Sequence, residues 1–161
     1  MTVEEVTPGE WVHRTPARDL NWNSVYADQL PRIYNYQARQ ALFRVVSWTM
    51  EPIGQMLKRR RPYDPDLMAA SATRLQALAK MAPELFEHDT RGFGIPTRAL
   101  DLIWEDKAGF DRKMRTLLAA TDTLAATGLA QDRARALEAA IALGQACSDC
   151  HSTYRAQHKV P

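Results

Sequence analysis

Residues 36–57 read YQARQALFRVVSWTMEPIGQML, and their spacing decides the fold class. Tyr36, Arg39, Phe43, Val46, Met50, Ile53 and Leu57 recur at alternating intervals of three and four. That period is the core seam of a bundle helix, sustained over about three heptads. Two members depart from it. Tyr36 is amphipathic, and Arg39 puts a full charge where the seam wants an apolar group. Pro52 falls inside the same helix, where it removes one backbone hydrogen bond and favours a kink. Ala41, Val45 and Trp48 form a second apolar stripe, and a helix apolar on two faces is expected to be buried on both.

Three more helices follow. In YDPDLMAASATRLQALAKMAP (residues 63–83), Asp64 suits the N-cap and Pro65 the first helical position. Met68, Ala72, Leu75, Ala79 and Ala82 share one face, and Pro83 ends the run. Residues 83–103 form a long connection containing RGFGIPT; loops of that length usually serve function. The third helix is expected from about Glu105 to Thr127, with Phe110, Met114, Leu117, Thr121 and Leu124 as its stripe and Gly128 as its stop. The fourth starts near Asp132 and carries Leu137, Ala140, Gly144, Cys147 and His151 on one seam.

The expected fold is therefore all-α, an antiparallel four-helix bundle, over residues 32–161. Residues 1–31, with Pro8, Pro16 and Pro31, read as an irregular N-terminal arm with one short helix. Trp11 and Trp22 argue that the arm packs to some degree. No alternating strand pattern and no tandem repeat stands out.

The bulk numbers exclude some functions. The chain has 161 residues, 45% hydrophobic and 25% charged, with a formal net charge of +2. That charge is too small to argue for a nucleic-acid partner. The basic run KRRRP at 58–62 reads as a solvated helix end whose charges suit the helix dipole. No stretch approaches the ~18 consecutive apolar residues of a membrane-spanning helix. The N-terminal stretch lacks the basic and apolar regions of a secretory signal as it stands.

Both cysteines of the chain lie in ACSDCHSTYR, residues 146–155. Cys147, Cys150 and His151 spell C-x-x-C-H, the attachment pattern of c-type haem. Two thiols add across the two vinyl groups of one porphyrin to give two thioethers. On a helix, residues three apart occupy adjacent turns of nearly one face. His151 then follows as the proximal iron ligand. Rival readings remain. A redox C-x-x-C belongs near a strand–helix junction. A structural zinc site needs about four ligands, for which only His13, His88 and His158 are at hand. A disulfide would leave His151 unexplained. Haem also gives Arg39 a reason to sit in the seam: with Gln40 beside it, it reads as a clamp on a haem propionate. The bland alternative is an arginine reaching out to solvent.

These stretches resemble the class II c-type cytochromes, specifically the cytochrome c′ family. ACSDCHSTYR is similar to the family's C-terminal haem segment, RQALFRVVSW with IGQMLK to its first helix, RPYD to the turn after it, and TRALDLIWEDKAGF to the entry into its third. The resemblance covers about residues 32–161. It implies one covalent haem c on Cys147 and Cys150, His151 on one iron face, and propionate contacts at Arg39 and Gln40. It places Phe43 over the open face and Arg155 beside the proximal ligand. By helical spacing alone Arg155 shares a face with His151. The family's tryptophan after the second helix is replaced by Pro83 and Glu84, and Pro52 and the arm are departures.

Six-coordinate relatives place a methionine on the first helix. Here Phe43 stands in that position and cannot ligate, and Met50 lies about 10 Å further along the axis. The expectation is five-coordinate, high-spin iron that binds NO or CO and transfers electrons to an unnamed redox partner. An alternative is a six-coordinate electron carrier with His13 of the arm as sixth ligand. A third, a weak peroxidase, lacks a visible acid–base pair on the seam. The resemblance further implies a periplasmic home, with the given chain a mature form bearing an added Met1, and a homodimer through the first two helices with Trp48 at its contact.

Overall fold

The computed structural model describes residues 3–7, 10–13, 29–91 and 97–157, with side chains from residue 34 onward. The chain divides into two compact units, residues 1–31 and 32–161.

In the first unit, β1 (Val3–Thr7) pairs antiparallel with β2 (Glu10–His13). Val3 stands opposite His13, Glu4 opposite Val12 and Glu5 opposite Trp11, with an irregular register between Glu5 and Thr7. This corrects the expectation of an irregular, strand-free arm. Strands of five and four residues are too short for alternation to stand out. Val3, Trp11 and Val12 are strand-formers, and the ladder itself is made by backbone groups. The expected short helix, Pro16 and Trp22 lie outside the described residues.

The second unit is built on α1 (Gln29–Leu57), α2 (Pro65–Met81), α3 (Lys107–Leu129) and α4 (Arg133–Tyr154), a four-helix bundle. An aspartate caps each of the last three. Asp64 Oδ1 accepts from Leu67 N at 3.0 Å, Asp106 Oδ1 from Gly109 N at 3.0 Å, and Asp132 Oδ1 from Arg135 N at 3.1 Å. Each cap satisfies one of the N–H groups that a helix start leaves without a partner. The long connection carries a 3₁₀ turn, Pro83–Phe86, and one turn of helix, Leu102–Glu105. α3 thus starts two residues later than Glu105, at the point where Asp106 supplies the cap.

Gly128 is not the stop of α3. The helix runs on to Leu129, and Gln131 makes the reversal with φ 54°. Gly128 is buried where α3 meets α2: a Cβ there would lie 3.3 Å from Ala69 Cα. Close approach, rather than termination, is what its missing side chain serves. α1 continues through Pro52, and the basic residues 58–61 are exposed just past its end.

The core falls into two clusters. One joins Ile53, Met56, Met68, Ala72, Leu75, Leu124, Ala136, Ala139, Ala140 and Leu143. The other joins Leu42, Ala82, Phe86, Ile103, Phe110, Met114 and Tyr154. In α1 the fully buried residues are Arg39, Leu42, Thr49, Ile53 and Met56, so the seam is centred beside the expected one. Phe43, Val46, Met50 and Leu57 flank it, partly buried. Both series obey the same three–four spacing, and Thr49 disguises the true one with a hydroxyl. That hydroxyl donates to Val45 O at 2.8 Å and needs no other partner. The second stripe is exposed within this unit, Val45 at 44% and Trp48 at 68%. In α4 the buried positions run Ala136, Ala139, Ala140, Leu143, Ala146 and Tyr154, which leaves Gly144 and His151 of the expected seam exposed.

Leu124 is fully buried and Ile141 is 62% exposed. Leu124→Ala is expected to lower unfolding free energy by about 2–5 kcal/mol, and Ile141→Ala by less than ~0.5 kcal/mol. Guanidinium unfolding of both variants checks the difference.

Candidate functional site

The last turns of α4 carry the thiols. Cys147 and Cys150 are both free and half-buried. Cys147 packs against the first core cluster and Cys150 against the second, so the pair spans their junction. Burial pushes both thiols up; Lys113 opposes the rise at Cys150. His151 is exposed at the next position. Burial lowers its pKa, and the charges of Arg155 and Arg98 lower it further. All three effects favour the neutral ring, the form in which imidazole ligates a metal. Arg155 Nη1 lies 3.5 Å from His151 Nδ1.

Arg39 is buried at 4% exposure. Its Nη2 donates to Thr90 Oγ1 at 2.6 Å. Its Nη1 has no hydrogen-bond partner among the described residues. The guanidinium lies 4.8 Å from the Phe86 ring centroid and 5.4 Å from that of Trp104. Burial lowers its pKa, and no carboxylate among the described residues offsets this. Phe43, one turn on, meets the same Phe86 ring at a centroid distance of 6.1 Å. Gln40 points elsewhere: it is exposed, donates to Tyr36 Oη at 2.6 Å, and accepts from Arg44. The structure therefore brings Arg39, Phe43 and Cys150 to one cluster, sets Arg155 against His151, and leaves Gln40 apart.

The sequence reading missed what anchors the end of α4. Tyr154 is buried at 4% exposure and donates to Asp106 Oδ2 at 2.8 Å. Its ring meets Phe110 edge-on at 5.3 Å. Asp106 thus caps α3 with one oxygen and holds α4 with the other. A Cβ on Gly109 would collide with Asp106 Oδ2 and fall 2.5 Å from Tyr154 Oη, so only glycine leaves room for this bond. Backbone pairing adds to it. Leu100 N donates to Tyr154 O at 3.0 Å and Ala156 N to Arg98 O at 2.8 Å, bridging Ala99 and Arg155. The signal was present as D-x-x-G at 106–109, an aspartate three residues ahead of a glycine at a helix start.

These residues fit a c-type haem. Two unpaired thiols and an imidazole follow one another along the terminal turns of α4. A buried guanidinium with a free N–H supplies what a propionate would take. Phe43, Phe86 and Phe110 form an aromatic group in the cluster against which Cys150 packs. A zinc site fits less well, since no group of three or more metal-binding side chains converges among the described residues.

The family model described as Cytochrome C′ matches residues 35–155. Cytochrome c′ of Rhodopseudomonas palustris is 36% identical over 121 residues, spanning 74% of this chain and 80% of the relative. Cytochrome c-554 of Cereibacter sphaeroides is 34% identical over 122 residues, spanning 74% and 90%. The structure of cytochrome c prime from Shewanella frigidimarina matches with a TM-score of 0.73 at 29% identity, covering 78% of this chain and 97% of that one.

The bond from Tyr154 holds the Asp106 carboxyl below its ordinary range, and the Gly109 N–H adds to this. A depressed carboxyl stabilises the fold above its unfolded pKa and loses that contribution as pH falls through the folded value. Tyr154→Phe is therefore expected to lower the melting temperature by roughly 2–5 °C at neutral pH. The gap to the parent should close as the solution is acidified below the carboxylate range. Melting curves across pH check both the loss and its sign.

Proposed function

The chain belongs to the cytochrome c′ family, and on that premise we propose that it is a periplasmic haem c protein that binds small uncharged diatomic gases and exchanges electrons. Cys147 and Cys150 hold one haem through two thioethers, and His151 is its single protein ligand. The iron is five-coordinate and high-spin, and it supplies an open position for NO or CO together with a one-electron couple. Arg39 holds a propionate. Arg155 places a fixed positive charge beside the imidazole, which favours the reduced state. The protein is a carrier and binder rather than an enzyme.

The observation that carries this reading is the position of Phe43. It lies one turn beyond Arg39, against the Phe86 ring that Arg39 also contacts; with a propionate held by Arg39 as proposed, it would cover the open face of the iron. Met50, the methionine of α1 nearest to it in sequence, packs with the other cluster. An aromatic wall excludes water and offers an anion no donor in exchange for its hydration. A neutral diatomic needs only room, which it gains by displacing the ring.

Displacing Phe43 costs ~1–3 kcal/mol of repacking, roughly tenfold to a hundredfold in affinity. Phe43→Ala is expected to bind CO tighter by about that factor, and faster. Optical titration and stopped flow on the reduced protein measure both. A low-spin spectrum in the parent, indifferent to CO, overturns the reading in favour of a sixth ligand such as His13, whose side chain lies outside the described residues.

The same reading includes a homodimer through α1 and α2. Ala41, Val45 and Trp48 are exposed, and Trp48 borders a groove of about 290 Å³ with Pro52, Leu67 and Ser71. Thr49, Glu51, Gln55, Arg61 and Arg74 complete its lining, so a large aromatic stands among polar groups as in the core and rim of a dimer contact. Trp48→Arg is expected to give monomers by sedimentation at high micromolar concentration. A monomeric parent at that concentration rules the dimer out.

A further inference from the structure

Arg39 is not alone in carrying an open donor at its end of the bundle. Trp104, in the single turn Leu102–Glu105, has a buried indole Nε1 with no hydrogen-bond partner among the described residues. An indole N–H can only donate. Buried donors are almost always paired, so one left open asks for an acceptor. The Nη1 of Arg39 is in the same condition. The two are physically joined, because the Arg39 guanidinium lies 5.4 Å from the centre of the Trp104 ring. Phe86 contacts the same guanidinium at 4.8 Å. Thr90 Oγ1 occupies Nη2, which fixes the plane of the fork and leaves Nη1 as the open side.

Neither donor can satisfy the other. Both need an acceptor, and Arg39 needs one that carries negative charge, since a cation so buried is costly without a counter-charge. No ion pair to Arg39 forms among the described residues; the Tyr36 phenol partly offsets the effect of burial, and no carboxylate among the described residues does. A carboxylate answers both needs: it is planar, anionic, and has two oxygens for two donors.

We propose that Trp104 is a second donor to the carboxylate that Arg39 holds, its indole N–H and Arg39 Nη1 binding one haem propionate between them. This rests on the haem c reading above. Trp104 then tunes that propionate: a neutral donor favours its ionised form without adding charge, and losing the donor raises its proton affinity.

The test uses the haem-loaded protein. A pyridine haemochrome spectrum first establishes thioether-linked haem; its absence overturns the haem c reading and this inference with it. With haem present, the reduced, CO-bound, nitrogen-15-labelled protein is diamagnetic. The Trp104 indole N–H is assigned by its loss in Trp104→Phe. It is expected to show Overhauser contacts to propionate methylene protons. Contacts to an aspartate or glutamate side chain instead, or to no carboxylate neighbour, overturn the proposal. Trp104→Phe keeps an aromatic face for Arg39 and deletes only the N–H. It is expected to move the pH at which the reduction potential falls upward by about one unit, a roughly tenfold change in proton affinity. Leu129→Ala, at an exposed position at the end of α3, should move nothing. An unchanged pH profile in a haem-loaded Trp104→Phe overturns the role of the N–H. If that variant fails to load haem, the Overhauser contacts of the parent decide alone.

Discussion

A guanidinium buried to 4% exposure organises one end of this bundle. The interior gives Arg39 two aromatic faces and one hydroxyl, and leaves part of its hydrogen-bonding capacity open. Such a residue is a poor device for stability, since desolvating a charge costs several kcal/mol where no counter-charge is met. Its position makes sense as half of an interaction whose other half arrives with a ligand. Phe86 is shared between Arg39 and Phe43, so the packing that positions the charge also positions the aromatic wall.

The second constraint concerns α4. Its last turns carry Cys147, Cys150 and His151, and helix ends fray unless something holds them. Asp106 holds this one through Tyr154 while capping α3 with its other oxygen. One carboxylate therefore fixes the start of one helix relative to the end of another. The strand-like pairing of Ala99 with Arg155 ties in the loop that precedes them. Desolvation and the charges of Arg155 and Arg98 all press His151 toward its neutral form.

Much of this was legible in the sequence. Three–four spacing identified the helices, because burial on one face imposes it whatever the partner is. The cap at Asp64 was legible because capping is local chemistry. C-x-x-C-H was legible because covalent attachment demands fixed residue types at fixed spacing. What escaped depended on contacts distant in sequence. Nothing local distinguishes Tyr154 from an ordinary core tyrosine; its bond to Asp106 spans 48 residues. Gly128 read as a stop because glycine often ends helices, yet its role is set by Ala69 on another helix. The seam of α1 was displaced because two registers share one period, and Thr49 concealed the buried one. The strands of the arm were too short for any period to register.

The division of the core into two clusters has a consequence for how the molecule can vary. The cluster around Ile53, Met68, Leu124 and Leu143 is made of aliphatic and small side chains, and of the proposed haem-site residues only Cys147 packs against it. It can supply cohesion to the bundle without regard to the chemistry at the other end. The aromatic cluster is thereby relieved of that duty and can sit beside a charge and an indole whose donors are open among the described residues. Substitutions that retune the guest site draw on a reserve of stability kept elsewhere, so binding properties can diverge among sequences while the scaffold stays the same.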